Sequence, residues 1–499
     1  MVICLFGATS SPRLDTPLGG VSTLERVVRY IGSLDTVERV AVFLSGEEVA
    51  LPKSWDVVRR EEWTLESLVA ELAGLVSGPD DELLFAFLDQ PFLNLELTER
   101  MLERHRKYRA DYTFSDGYPK GLAPELVAGR AVAHLRELAQ GDQREITRDG
   151  VFAVVQKEIN RLDVETELSP VDQRLLRLVL AVDTAADFEL CRRLAPNAPE
   201  SIDEWQQYVE ARRNEHRTLP RFVSVQVVEQ EVHAVSYSPY RTMRSDVTAP
   251  GRVMDADRFG ALVEQIANLS PEAVVSVSAW GEISRHGEVG RLIDSVLATE
   301  GLSLIVETSG VGWSELERAA LFARLRDSPR GRLVVITGLD TANEDLYREL
   351  RGDGFEEANN FARASLEIRP SACHVQAVRC TATEPLLEEF YRTWKKLTPN
   401  VIIQKYDHFC GVLPPEKIGD LSPLDRFPCW HIQRDVTVLV DGTVPMCRED
   451  IAASRVLGNV FDRGIEEAWL KAQSIYERHV SGDYPDICKG CDEYYTFNY

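Results

Sequence analysis

The chain lacks a cluster of basic residues and a long apolar run, and each absence excludes a class of protein. The formal net charge is -24, and the lysines and arginines are spread along the 499 residues, so the attraction that drives nucleic-acid binding is missing. No stretch approaches the roughly 20 apolar residues of a membrane-spanning helix. The N-terminal run MVICLFGATS also lacks the basic residues and cleavage site of a signal peptide. We therefore expect a cytoplasmic protein without nucleic-acid or membrane partners.

Cysteine is also scarce, which excludes a disulfide framework. Nine cysteines occur in 499 residues, and in a reducing compartment clustered cysteines more often bind metal. The chain has no internal repeat and no low-complexity tract, and it is too long for one compact core. We therefore expect two or three folded domains.

The first 200 residues alternate apolar runs with helical patterns. VICLF, RVAVFL and LLFAFL predict buried strands, and STLERVVRYIGSL, LESLVAELAGLV and LTERMLERHRKY predict amphipathic helices. This pattern is typical of an α/β sheet that is covered on both faces. We place this domain at residues 1–200. The stretch RRLAPNAPESIDEWQQYVEARRNEHRTLPR mixes prolines with a charged helical pattern, and we expect residues 201–220 within it to form a linker.

A second alternation, over residues 221–407, predicts a parallel barrel. The strand candidates are FVSVQVV, AVVSVSA, LSLIVET, RLVVITG, CHVQAVR and NVIIQKY, with helical patterns between them. Six such units favour a partial (β/α)6 barrel, in which ligand sites lie at the carboxyl ends of the strands. Residues 408–499 break this rhythm and predict a small α+β domain with a hairpin at VTVLVDGTVPM.

Four cysteines in this last segment have the spacing of a metal site. Cys429, Gly442 and Cys447 form C-x12-G-x4-C, and Cys488 and Cys491 form C-x2-C. The hairpin would bring Cys429 and Cys447 to one end, while the C-x2-C turn presents two more thiolates. Four such soft ligands suit an iron–sulfur cluster or zinc, and the spacing does not separate the two. We interpret Cys410 as a packed thiol, with a spare ligand as the alternative.

From about Phe222 onwards, the chain resembles a radical SAM enzyme with a C-terminal SPASM-type extension. The cysteine spacing followed by LGNVF and EEAW is similar to the first half of a SPASM domain. This resemblance favours one [4Fe-4S] cluster on Cys429, Cys447, Cys488 and Cys491. AWGEIS resembles the segment that approaches the amino group of S-adenosylmethionine, which implies a vestigial site at Gly281 and Glu282. ETSG resembles a further strand end of that family.

The barrel departs from the radical SAM pattern at its first strand. That family needs C-x3-C-x2-C there, and the three positions hold Glu231, Val235 and Ser238 when SYSPY is aligned with YCPY. No cysteine occurs between Cys191 and Cys373, so no other alignment supplies the thiolates. We therefore predict that the barrel performs no radical SAM chemistry, and we do not expect S-adenosylmethionine as a ligand.

Residues 1 to about 195 resemble the nucleotidyltransferase fold of molybdopterin-guanylyl and CMP-sugar synthetases. LFGATSSPRLDTPLGG parallels the phosphate-binding loop, FLDQPFL an acidic strand end, and LAVDTAADFEL a late acidic segment. The resemblance implies that Asp89 and Asp183 hold Mg²⁺, with Asp187 nearby. The loop retains only Gly7 of its early glycines, and the expected lysine is absent, which leaves Arg13 for a phosphate contact.

The full pattern resembles the spiro-SPASM family. Our first hypothesis is a non-radical iron–sulfur protein whose degenerate barrel binds an unidentified protein or small-molecule partner. The alternatives are an Mg²⁺-dependent nucleotidyltransferase that uses Asp89 and Asp183, and a single-cluster electron-transfer protein. Whether the chain is an enzyme stays open at this point.

Overall fold

The computed structural model describes residues 1–7, 12–46 and 49–496, which form two compact units, Met1–Thr218 and Leu219–Tyr499. Within these ranges no helix is both long and apolar enough to cross a bilayer. The predicted fold class is confirmed: each unit is built from helices around a sheet with parallel strands.

The first unit is built on a mixed sheet with the strand order β5-β4-β1-β6-β8-β7-β9. The central strand β1 pairs in parallel with β4 and β6, and β8 is antiparallel to β6 and β7. The strands are β1 (Val2–Gly7), β2 (Pro17–Leu18), β3 (Val21–Ser22), β4 (Arg39–Leu44), β5 (Asp56–Arg59), β6 (Glu82–Phe87), β7 (Tyr112–Asp116), β8 (Glu125–Ala128) and β9 (Val164–Leu168).

Four helices of this unit begin at a residue whose side chain accepts a hydrogen bond from the first turn. Ser22 accepts a hydrogen bond from the Glu25 amide, and the Glu25 carboxylate accepts one from the Ser22 amide, which satisfies two donors at the start of the first helix. The helices of this unit are α1 (Thr23–Ser33), α2 (Leu65–Leu75), α3 (Leu95–Tyr108), α4 (Gly129–Ala139), α5 (Phe152–Val155), α6 (Ala185–Leu194) and α7 (Ile202–Ala211).

The segment expected as a linker contains α7, which packs within the first unit. Trp205 is buried against Phe92, with ring centroids 5.2 Å apart. The Asn94 side chain donates a 2.7 Å hydrogen bond to the carbonyl of Glu200. Burial of this tryptophan fixes the helical part of the segment within the first unit.

The second unit contains the predicted barrel strands in chain order. The sheet order is β15-β14-β13-β12-β11-β10-β16, and all of its pairs are parallel. The strands are β10 (Phe222–Val225), β11 (Val274–Ser276), β12 (Ser303–Thr308), β13 (Leu333–Gly338), β14 (Cys373–Arg379), β15 (Val401–Lys405), β16 (Asp435–Val438), β17 (Thr443–Pro445) and β18 (Val456–Asn459).

Helices in the second unit follow most barrel strands and bury one face on the sheet. They are α8 (Tyr240–Met243), α9 (Ala256–Leu269), α10 (Val289–Leu297), α11 (Glu315–Asp327), α12 (Glu344–Leu350), α13 (Phe355–Ile368), α14 (Leu387–Lys395), α15 (Trp430–Arg434), α16 (Ile465–Val480) and α17 (Asp486–Lys489).

The hairpin expected at VTVLVDGTVPM is wrong in its strand pairing. The chain does reverse at Gly442, whose amide donates to the Leu439 carbonyl. However, β16 joins the barrel sheet in parallel beside β10, and β17 pairs with β18 in the antiparallel sense. The turn signal is local, whereas the choice of partner strand depends on which apolar face must be buried.

Candidate functional site

A polar cavity of about 220 Å³ lies at the carboxyl ends of the barrel strands. Its wall includes Glu307 and Thr308 at the end of β12, Gly338 at the end of β13, and Lys405 at the end of β15. Glu307 is exposed although β12 is a central strand of its sheet, because its side chain faces this cavity. The site therefore lies where parallel barrels place their ligands.

Gly281 and Glu282 lie in this wall and join neighbouring strand ends. A Cβ atom on Gly281 would lie 1.9 Å from the Val228 carbonyl oxygen, so only glycine fits this close backbone approach. The Glu282 carboxylate is buried and accepts hydrogen bonds from the Thr308 hydroxyl at 2.6 Å and the Ser309 amide at 2.7 Å. The GE and ETSG segments therefore contact each other and fix the rim of the cavity.

Two of the three positions aligned with the radical SAM cysteines line this cavity, and the third contacts one of them. Glu231 and Val235 line it, and the buried Ser238 hydroxyl donates a 2.7 Å hydrogen bond to one carboxylate oxygen of Glu231. The other oxygen of Glu231 is buried and has no hydrogen-bond partner among the described residues. Burial raises the pKa of Glu231 to about 7.

This raised pKa predicts a pH-dependent stability. Unfolded glutamate titrates near about 4.3, so the folded chain holds an extra proton up to about pH 7, and stability falls as the pH rises through that window. We expect Glu231→Gln to stabilise the second unit at about pH 8 by on the order of 2 kcal/mol, and to be neutral near about pH 4. Thermal unfolding across this range measures the difference.

The charged groups that act on Glu231 are Arg351, Glu282 and Arg241, and all three are retained in the glutamine variant. Glu264→Gln, at an exposed glutamate of the same unit, is the matched control for the substitution itself. Equal melting temperatures of wild type and Glu231→Gln at about pH 8 would contradict a proton held on Glu231.

A buried ion pair that the sequence analysis missed supports the cavity floor. Arg351 donates to the Asp340 carboxylate at 2.7 Å and to the Tyr237 hydroxyl at 2.9 Å, and Tyr237 also contacts Asp340. The second oxygen of Asp340 accepts the Val378 amide at 2.9 Å. The sequence carries no signal for this group, because its members come from three distant segments.

The other basic residues of the cavity wall are also paired with acids. Arg448 contacts Glu449 at 2.8 Å and Asp407 at 3.1 Å, and Lys405 contacts Asp492 at 3.0 Å and Glu493. In contrast, Glu231, Glu282 and Glu307 form no ion pair within the described part of the chain. The cavity therefore offers carboxylates and neutral hydrogen-bonding groups, with its positive charges already neutralised.

The cysteines predicted to bind metal converge on a second, smaller cavity. Cys429 and Cys488 are buried, Cys447 and Cys491 are half-buried, and all four line this cavity together with Cys410. Cys429 caps α15 rather than entering a strand, and Cys488 lies in α17. Burial raises the pKa of Cys429 and Cys447, which disfavours free thiolates there.

The chemistry of this cavity fits a cluster. Nε2 of His479 and one carboxylate oxygen of Glu449 line it, are buried and have no hydrogen-bond partner among the described residues. Five thiols beside such groups form the soft donor set that iron–sulfur clusters use. Within the described ranges, no group of three or more His, Cys, Asp or Glu side chains has the geometry to hold a single metal ion.

Asp89 and Asp183 meet in the first unit, but around an arginine. Arg148 donates to both oxygens of Asp89 at 2.6 and 2.5 Å, and it contacts Asp183 at 2.6 Å. Asp89 follows β6, and Asp183 precedes α6, where Asp187 accepts a hydrogen bond from the cap residue Thr184. The two carboxylates therefore already hold a cation from their own chain, and the residues present do not fit Mg²⁺.

The phosphate-binding loop expected after β1 is only partly described. Gly7 ends β1, and residues 8–11 lie outside the described residues. Arg13, which was considered for a phosphate contact, donates a 2.7 Å hydrogen bond to the Asp183 carbonyl.

The two ends of the chain match the models of two different protein families. Residues 6–156 match the model of a MobA-like NTP transferase domain, and residues 429–492 match the model of SPASM, an iron–sulfur cluster-binding domain. Among solved structures, SuiB of Streptococcus suis is 12% identical and covers 76% of this chain and 91% of its own, with a TM-score of 0.45. BtrN in complex with AdoMet and 2-DOIA is 18% identical over 55% of this chain and 93% of its own, with a TM-score of 0.36.

A relative is found in Treponema pallidum (strain Nichols). This uncharacterized protein is 33% identical over 363 residues, which span 70% of the present chain and 98% of the relative. The alignment thus takes in nearly all of that protein. The chain belongs to the same family, the spiro-SPASM family that its motifs indicated, with a MobA-like NTP transferase domain at its start and a SPASM domain near its end.

Proposed function

We propose that this protein is a one-cluster iron–sulfur protein whose barrel does not perform radical SAM chemistry and instead binds a ligand or partner. The observation that carries the proposal is the contact between Glu231 and Ser238 at the barrel cavity. These are two of the three positions where a radical SAM enzyme would hold cysteines, and Val235 is the third. A hydrogen-bonded carboxyl and hydroxyl beside a valine offer no thiolate for a catalytic cluster.

The single cluster is assigned to Cys429, Cys447, Cys488 and Cys491. Their convergence on one cavity, within the segment that matches the SPASM model, supports this assignment. A bound [4Fe-4S] cluster supplies one-electron transfer or holds the surrounding segments in place. Around it, Arg426 donates to the Cys488 carbonyl at 2.6 Å and lies over the rings of Tyr484 and Tyr494.

The barrel cavity is proposed as the binding site. Its position at the strand ends supports this role, as does the set of Glu231, Glu282 and Glu307, none of which is ion-paired within the described ranges. Arg448 lines this cavity directly after the ligand candidate Cys447. A ligand in the barrel would therefore lie against the segment that carries the cluster.

Incubation of the reduced, anaerobically purified protein with S-adenosylmethionine tests the proposal. We expect no 5'-deoxyadenosine and no methionine above the level of a protein-free blank. The triple variant Glu231→Cys/Val235→Cys/Ser238→Cys is a gain-of-site control, in which iron should rise from about four to about eight atoms per chain. Formation of 5'-deoxyadenosine by the wild type would overturn the proposal.

His479 is expected to set the reduction potential of the cluster. Its Nδ1 accepts the Cys429 amide at 3.4 Å, so in the neutral ring Nε2 carries the hydrogen and faces the cysteine cavity. Hydrogen bonds to cluster sulfur raise the potential. We therefore expect His479→Phe to keep its iron but to be reduced at a more negative potential, measured by redox titration with detection of the reduced cluster by electron paramagnetic resonance.

His479→Gln is the matched control, because its amide retains a donor and should recover part of the shift. A potential that is identical in wild type and His479→Phe would show that the ring makes no such hydrogen bond. Loss of iron in the phenylalanine variant would instead assign the ring a structural role.

A further inference from the structure

One guanidinium fills the space between the two acidic groups of the first unit. Nη1 and Nη2 of Arg148 form a two-pronged contact with the Asp89 carboxylate, and Nη2 also lies 2.6 Å from Asp183. The side chains of Arg148 and Asp89 are only 18% and 17% exposed. This is the planar, bidentate geometry for which arginine is suited and lysine is not.

A metal ion would need the same space. Mg²⁺ binds oxygen ligands at about 2.0–2.1 Å in a near-octahedral shell that retains several waters. Here a nitrogen atom lies within hydrogen-bond distance of both carboxylates, so neither oxygen can approach a common metal while the arginine stays in place. We infer that Arg148 is a built-in cation that replaces Mg²⁺ between Asp89 and Asp183, so the first unit binds no divalent metal ion there.

The surroundings hold the guanidinium in this position. Arg148 lies over the Phe87 ring, 4.8 Å from its centroid, and a cation above an aromatic face is stabilised by the ring quadrupole. The Asp89 carbonyl accepts the Val182 amide at 3.0 Å, so the segments that carry the two aspartates are joined by their backbones. The hydrogen bonds to Asp89 and the charge of Asp183 raise the pKa of Arg148 despite its burial.

This built-in cation has a consequence for nucleotide chemistry. An arginine is charged at every physiological pH and cannot be removed by a chelator, so a positive charge always lies between the two carboxylates. A metal ion that would neutralise a departing pyrophosphate has no place on Asp89 and Asp183. The first unit therefore keeps the sheet of an NTP transferase while its two acidic groups serve an internal ion pair.

Removal of the guanidinium should open a metal site, and Mn²⁺ is a suitable probe. The full chain is titrated with Mn²⁺, and free Mn²⁺ is measured by its electron paramagnetic resonance signal. We expect wild type and Asp89→Asn to bind the same number of Mn²⁺ ions, because wild type has no site at this pair. Arg148→Gln should gain one site that binds Mn²⁺ at least about tenfold more tightly than wild type binds it, because two adjacent carboxylates then lack a cation. Arg148→Gln/Asp89→Asn should lose it.

Arg144→Gln is the matched control, because Arg144 lies in the same loop and pairs with Asp142 at 2.7 Å, away from the acidic pair. It should behave as wild type. A wild-type Mn²⁺ site that Asp89→Asn abolishes would overturn the inference, and so would a folded Arg148→Gln variant that gains no site.

Thermal unfolding provides a second measurement that does not depend on an arginine variant. Mg²⁺ should leave the melting temperature of the first unit unchanged in wild type, because no site is available to it. Asp183→Asn is the comparison, because the Asp183 side chain is 38% exposed. If Mg²⁺ raised the melting temperature of wild type but not of Asp183→Asn, a metal would lie at the pair and the inference would be overturned.

Discussion

Complete loss of iron and sulfide is the expected result of replacing Cys488 and Cys491 together with alanine. Wild type purified without oxygen should contain about four irons and four sulfides per chain. Of the proposed ligands, the double variant leaves only Cys429 and Cys447 on the cavity wall. Two thiolates are too few to retain a [4Fe-4S] cluster. Iron, sulfide and zinc analysis of both proteins measures the change.

Cys410→Ala is the informative control, because its thiol lines the same cavity and interacts with that of Cys491. We expect it to keep its cluster, as should Cys373→Ala, whose thiol donates to the Ser365 carbonyl within the barrel. Iron loss in Cys410→Ala would make this thiol a ligand. One zinc per chain without sulfide would contradict the cluster altogether.

A loss of about 3–5 kcal/mol in the stability of the second unit is expected for Asp340→Ala. The aspartate side chain is 1% exposed, and its partner Arg351 is 11% exposed. Its removal leaves a buried guanidinium and the Val378 amide without their acceptor. Urea unfolding of the full chain measures the loss of stability. Hydrogen exchange of the amides in β13 and β14 shows whether the loss occurs there.

The exposed ion pair between Arg324 and Asp294 in the same unit provides the comparison. Asp294 is 58% exposed, so Asp294→Ala should cost less than about 1 kcal/mol. If Asp340→Ala lowered the stability equally little, Arg351 would be hydrogen-bonded to water or another acceptor in the variant. The ion pair would then not support the cavity floor.

The central strands of both sheets could be predicted because they are buried on both faces, whereas β5, β7, β8 and β9 of the first sheet were not predicted. Runs such as LLFAFL and RLVVITG contain few polar residues, and they form β6 and β13. Such runs, separated by helical patterns, have little alternative to a covered parallel sheet. Gly281 and Glu282, which the resemblance singled out as a vestigial site, lie in the cavity wall in the segment that follows β11.

The contacts that decide the chemistry could not be predicted in the same way. Arg148 lies 59 residues from Asp89 in sequence, in a loop whose local pattern gives no sign of a buried cation. The Asp-Gly turn fixed a chain reversal but not the strand that β16 would join. The ion pair and the strand pairing both depend on contacts between segments that are distant in sequence. Hydrophobic periodicity predicts helices and strands, but it does not predict which distant segments contact each other.

The pairing of β16 with β10 has a consequence for dissection of the protein. Because β16 comes from the cysteine-bearing segment, a chain cut before residue 408 would lose it and expose β10 as a bare edge, with unpaired amides and carbonyls along Phe222–Val225. Exposed edges of this kind recruit other strands and promote aggregation. The barrel and the cysteine segment are therefore one folding unit, and neither can be expected to survive as a separately expressed fragment.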